Sequence, residues 1–194
     1  ALFDRGNLYR MTAKYDLALK DFSRILGITP EDADAYIGKG HAYLCLNDYG
    51  NALDAFKKAM LLNPKEGYSY LGMGVCYRET GNLTQAIEYH DKAIALMPNE
   101  AEAYGERGVT YAKQGNFEKS MKDCDKAFEL DKNDNYLYYD RGLAYYSLKK
   151  YDLASKDFKK YLKDAIDLGA KKDAEKKLME CIAKLRERFI KYER

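Results

Sequence analysis

The 194-residue sequence has no tryptophan, two histidines, three prolines and four cysteines. Nowhere does it approach the run of about 18 apolar residues that a membrane-spanning helix needs, so no membrane span is expected. No basic stretch followed by an apolar one opens it, so no secretory signal is visible. Ala1 already falls inside a repeat and no Met precedes it, which leaves open an N-terminal signal missing from the sequence. A formal net charge of +2 gives no electrostatic footprint for nucleic acid. Cys45, Cys76, Cys124 and Cys181 form no C-x-x-C pair. Each stands where helices commonly carry a small apolar residue, which suits reduced, packed thiols in a cytoplasmic protein better than disulfides or a metal site. His41 and His90 stand in no nucleophile or metal-ligand constellation. Gly72-Met73-Gly74 follows no strand and fails as a phosphate loop. Neither catalysis nor a cofactor or metal is expected.

What is present is a period. Gly recurs at 6, 40, 74, 108 and 142, Tyr at 9, 43, 77, 111 and 145, and the prolines are Pro30, Pro64 and Pro98, all at a step of 34 residues. A period of this length marks a solenoid of helical repeats. Aligned on the glycines, five units appear: 1–32, 33–66, 67–100, 101–134 and 135–168. In each, a first helix (A) carries an aromatic or apolar residue, Gly four later and Tyr three beyond, which is one helical face. A short break follows, at Asn47-Asp48, Gly81-Asn82, Gly115-Asn116 and Lys149-Lys150. A second helix (B) then carries Ala18, Ala52, Ala86, Ser120 and Ala154, followed four residues on by Phe22, Phe56, His90, Cys124 and Phe158. His90, at a phenylalanine position, is expected in the core. Proline stops helix B, and Lys132 in its place predicts a softer stop in the fourth unit. Glycine within a helix costs about 1 kcal/mol against alanine, so its recurrence predicts close approach of helices A and B.

These residues resemble the tetratricopeptide repeat (TPR) pattern over 1–168. The resemblance implies an all-α, right-handed superhelical solenoid of five helix-turn-helix units, with the A helices lining a concave groove. The sequence departs from the pattern in lacking Trp, in His90 and Cys124, and in Tyr161 where alanine is usual. Residues 169–194 are read as a break at Gly169 followed by a C-terminal capping helix, its stripe being Ala174, Leu178, Cys181, Ile182, Leu185 and Phe189. This tail has nine basic and five acidic residues. Its basic face suits either a solvated cap or an acidic partner or lipid headgroups.

The resemblance places the candidate groove on the A-helix face opposite the packed one: Asn7, His41, Tyr68, Leu71, Glu106, Tyr136, Tyr139, Asp140, Leu143 and Tyr146. Exposed tyrosine beside apolar residues is the composition of an interaction hot spot, with Glu106 and Asp140 expected to steer charge. A subset of the family grips C-terminal carboxylates with Lys, Asn and Arg at fixed positions. Here Asn7 matches, but Phe3, Asp34, Gly38, Gly72, Glu102, Glu106 and Asp140 stand where the others are wanted, so such a clamp is disfavoured. The function expected is a protein-interaction scaffold holding a peptide or helix with apolar and basic residues. The alternative is a self-assembling structural protein, a homo-oligomer joined through the solenoid ends. An RNA reader would need a basic groove, and Asp34, Glu102, Glu106 and Asp140 argue against one.

Overall fold

The computed structural model describes residues 1–133 and 135–192, without the side chains of Phe117 and of residues 190–192. Every regular element among them is an α-helix: α1 (Leu2–Met11), α2 (Tyr15–Ile28), α3 (Ala33–Cys45), α4 (Tyr49–Leu62), α5 (Gly67–Glu79), α6 (Leu83–Leu96), α7 (Ala101–Gln114), α8 (Phe117–Leu130), α9 (Tyr136–Ser147), α10 (Tyr151–Asp164) and α11 (Leu168–Tyr192). The chain divides into two compact units, Ala1–Asn99 with α1 to α6 and Glu100–Arg194 with α7 to α11.

Helix limits follow the period. The B helices begin at Tyr15, Tyr49, Leu83, Phe117 and Tyr151 and end at Ile28, Leu62, Leu96, Leu130 and Asp164, each set in one register. The softer stop expected at Lys132 is absent, because α8 ends where its equivalents do. There the Asp131 carboxylate accepts from the Asn133 amide at 2.9 Å and closes the turn without proline. Every A-to-B turn passes through one left-handed residue: Ala13, Asn47, Gly81, Gly115 and Lys149, with φ between +56° and +86°. Asn and Gly suit that conformation, whereas Ala13 and Lys149 adopt it with their amides donating to the Arg10 and Tyr146 carbonyls at 3.1 and 2.9 Å.

The core of the first unit is built on phenyl rings held between glycines. Phe22 is fully buried between α1 and α3. A methyl group on Gly6 would lie 3.0 Å from its ring and one on Gly38 only 2.4 Å from it. Phe56 repeats this between Gly40 and Gly72, at 2.7 and 2.3 Å. One glycine belongs to the ring's own repeat and the other to the next A helix. The expected close approach of helices A and B is therefore half of the arrangement. Gly38 and Gly72 supply the other half, so the ring also spaces successive repeats. His90 takes the ring's place in the third repeat, fully buried, with Gly74 facing it.

In the second unit Phe158 is the ring, facing Gly142 and packed with Ala154, Tyr161, Ala174 and Cys181. The fourth repeat has Cys124 instead. A methyl on Gly108 would meet the Ser120 backbone carbonyl at 3.2 Å and Cys124 Sγ at 3.3 Å, whereas at Gly6, Gly40, Gly74 and Gly142 the nearest atoms belong to a ring. Here α9 leans mainly on α7 and little on α8, whereas α3 leans on α2, α5 on α4 and α11 on α10. Without a phenyl wedge the next A helix slides onto its predecessor.

An ion pair ties A to B in three repeats. Arg5, Arg107 and Arg141 each grip Asp21, Asp123 and Asp157, sixteen residues on, through two bonds of 2.7–2.8 Å. The fork geometry of guanidinium on carboxylate makes these strong, oriented contacts. Repeats two and three carry Lys39 with Ala55 and Met73 with Tyr89 at the same places.

The tail corrects the sequence reading. Gly169 breaks nothing, since it lies in the first turn of α11. That helix occupies the register of a sixth A helix: Ala174 stands 34 residues after Asp140 and is fully buried against Phe158 and its neighbours. A glycine tolerates the first turn of a helix, and neighbouring packing outweighs its propensity.

Two outcomes test the wedge. Gly38→Ala should destabilise the protein by about 1–3 kcal/mol, and Phe22→Leu in the same chain should recover part of the loss, giving a non-additive cycle in urea denaturation. Cys124→Phe, which restores the repeat consensus, should lower the thermal midpoint, because α7 and α8 leave no room for the ring.

Candidate functional site

The A-helix faces hold the sequence-predicted residues, and the two units carry them separately. In the first unit Asn7, His41 and Tyr68 are half-buried. His41 lies edge-on to the Phe56 ring, with centroids 5.2 Å apart. Burial, reinforced by the Arg10 charge, pushes the imidazole pKa down to about 3. The Tyr68 backbone sits at a helix start, its amide donating to the Glu66 carboxylate at 2.9 Å. Leu71 is only 2% exposed. Its expected place on an open wall is thereby corrected, because its position on the helix points it into packing.

The second unit brings its predicted residues together. The rings of Tyr136 and Tyr139 lie 5.2 Å apart, and both touch Tyr161, at 5.8 and 5.2 Å. Tyr136, Tyr139, Leu143 and Tyr146 are half-buried and pack over the cluster formed by Phe158, Tyr161, Ala174 and Cys181. The Tyr139 hydroxyl donates to Asp173 at 2.8 Å and that of Tyr146 donates to Glu180. Both partners stand 34 residues further on, so equivalent positions of α9 and α11 are laced together. Lys177 Nζ lies 4.6 Å from the centroid of the Tyr146 ring. The Tyr146 hydroxyl is pushed up to about 12, first by its bond to Glu180 and then by burial. Tyr136 and Tyr139 are pushed well above their ordinary value by burial, with Asp140 and Glu106 adding negative field to both. All three phenols stay neutral, and the surroundings of Tyr136 and Tyr139 are electronegative, whereas Tyr146 has Lys177 over its ring.

Asp140 is a second correction. It is 2% exposed, and its Oδ2 lies so near α7 that a methyl on Gly105 would fall 2.5 Å from it. It occupies the same repeat position as Gly38 and Gly72, which faces the preceding repeat and not solvent. Glu106, half-buried, keeps an edge on the surface. Sequence reasoning missed Tyr161, Asp173, Lys177 and Glu180. Carrying the 34-residue register past Gly169 would have found the last three beside Tyr139, Leu143 and Tyr146.

Among the described residues no group of three or more His, Cys, Asp or Glu is placed to hold a metal, and no helix is long and apolar enough to cross a membrane. Cys76, Cys124 and Cys181 are free and buried, and Cys45 is half-buried. Burial raises the thiols of Cys76 and Cys124 to about 12 and that of Cys181 to about 11, so none of the three is a ready nucleophile at neutral pH.

A tetratricopeptide repeat family model matches residues 33–66 and 101–134, a second TPR repeat model matches 74–115, and a third matches 136–163. No curated protein sequence matches the chain. Among solved structures, a thermophilic TPR protein of Thermus thermophilus is similar, with a TM-score of 0.76 at 24% identity over 92% of this chain and 97% of that one. A tetratricopeptide repeat protein of Parabacteroides merdae gives 0.73 at 26% identity over 92% of this chain and 70% of its own. YrrB, described as a TPR protein with an unusual peptide-binding site, gives 0.53 at 22% identity over 90% of both chains.

The His41 geometry sets a pH dependence. The unfolded chain takes up this proton near pH 6.5, while the folded one resists it until about pH 3. The stability it contributes is whole above pH 6.5 and falls as the pH drops toward 3. Asp21, whose pKa Arg5 lowers from 3.8, keeps its share above that value and loses it only as the pH falls further. Between pH 6.5 and 5, His41→Gln should flatten the fall in unfolding free energy, removing a slope of at most about 1.4 kcal/mol per pH unit. Parallel profiles for variant and parent would refute the assignment.

Proposed function

We propose, from the premise that the chain belongs to the tetratricopeptide repeat family, that it is a non-catalytic protein-interaction scaffold holding a partner's peptide or helix along its A-helix faces. The observation that carries this reading is the half-buried shelf of Tyr136, Tyr139, Leu143 and Tyr146 with the Glu106 carboxylate beside it. Half-buried tyrosine offers a broad apolar face at small entropic cost because neighbouring rings already hold its rotamer. Tyr139 and Tyr146 have their hydroxyls tied to α11, so the shelf is rigid before a partner arrives. Leu71 and Asp140, being buried, are supports of this surface and not contacts. Asn7, His41 and Tyr68 form the corresponding face of the first unit.

The partner chemistry follows from charge. Asp140, Glu106, Asp167 and Asp173 all bear on the tyrosines of the second unit, and a negative field favours an incoming Lys or Arg beside apolar residues. An acidic C-terminus would be repelled. The peptide-binding description of YrrB, similar in fold, is in keeping with this reading.

An immobilised array of short peptides of graded charge tests it. Peptides combining basic with aromatic or aliphatic residues should be retained, and retention should fall as salt rises. Glu106→Lys should weaken them about tenfold, close to 1.4 kcal/mol, with the circular dichroism spectrum unchanged. Retention of acidic C-termini in preference would overturn the reading.

A further inference from the structure

We propose that the flank of the second unit between α10 and α11 is a separate docking surface, which takes an amphipathic helix of a partner protein carrying acidic residues beside its apolar stripe. The flank holds a groove of about 420 Å³ lined by Ser155 and Lys159 of α10 and by Ile182, Leu185, Arg186 and Phe189 of α11. It is independent of the tyrosine shelf and shares no residue with it.

The groove exists because α11 does not turn where other A helices turn. The residue in register with Gly81 and Gly115 is Ala183, followed by Lys184 where Asn82 and Asn116 stand, and the helix continues to Tyr192. Its apolar stripe thereby outlasts the core. Ala174 and Cys181 are fully buried, Leu178, Ile182 and Leu185 are half-buried, and Phe189 is 65% exposed. An apolar stripe that emerges from a core into a recess between two helices is the arrangement by which grooves accept a third helix.

Charge selects the occupant. The lining has two cations, Lys159 and Arg186, and no carboxylate. Neither forms an ion pair among the described residues, whereas Lys184 nearby is held by Glu187 at 3.0 Å. The Ser155 hydroxyl is spent within its own helix, donating to the Asp152 carbonyl at 2.9 Å. Leucines flanked by Glu or Asp therefore satisfy both floor and rim. A second copy offering its own α11 would set a helix with eight cations and four carboxylates against these two cations.

Two synthetic helices about five turns long, with one leucine stripe and either Glu or Lys on its flanks, test this by fluorescence anisotropy against the full chain. The Glu-flanked helix should bind at least about tenfold tighter than the Lys-flanked one and weaken as salt rises. Phe189→Ser and Arg186→Glu, both at exposed positions, should each weaken it about tenfold with the thermal midpoint unchanged. The proposal falls if neither helix binds, if both bind alike, or if neither substitution matters. It also falls if Phe189→Ser abolishes self-association in sedimentation velocity, or flotation with phosphatidylserine vesicles, while peptide binding is absent. Glu106→Lys, which disables the tyrosine shelf, should leave this binding unaltered, so the two surfaces succeed or fail separately.

Discussion

A phenyl ring between two glycines is the contact on which the array depends. Phe22 and Phe56 each fill the space left by the missing side chains of their own A helix and of the next. The ring fixes both the pairing within a repeat and the step between repeats, so one residue sets two distances. A packed interior transmits such a change because it has few voids to absorb it. Cys124 shows the consequence. Where the ring is lost, α9 takes α7 as its main neighbour. The third repeat, which ends at the division between the two units, has His90 at the same position.

Much of this was legible in the sequence, because the period constrains it at every level. Helix limits, turn positions and the buried Ala, Phe and Gly faces all follow from one alignment. What was not legible concerns which neighbour a residue meets. Gly38 and Gly72 read as vacant ligand positions when they are the far walls of the Phe22 and Phe56 sites. Leu71 and Asp140 read as wall residues for the same reason. A helical stripe has edges, and residues on an edge face the adjoining repeat, which intra-repeat periodicity does not reveal. The Arg–Asp pairs were open to view as a sixteen-residue spacing in three repeats. They escaped because charges on helices are ordinarily solvated, and only the fork geometry separates these from the rest.

The candidate shelf was half legible. Tyr136, Tyr139, Leu143 and Tyr146 do gather on one face, but their environment comes from the helix that the sequence reading set apart as a cap. Asp173 and Glu180 meet their tyrosines only because α11 continues the register. The hydroxyls are thus consumed in holding α9 to α11, and what remains for a partner is ring face and negative field.

The same helix departs from the other A helices at two positions. An A helix accepts its B partner through a glycine, and in α11 that position is Lys176, exposed. A lysine stands where Gly40, Gly74, Gly108 and Gly142 admit a ring or a backbone. The turn of the other A helices is replaced as well, with Ala183-Lys184 in place of Gly-Asn. Two local changes therefore set α11 apart from the other A helices. The first makes the outer face polar, and the second sends the helix onward past its own core. Because α11 runs on past the place of that turn, it carries its apolar stripe out to Phe189.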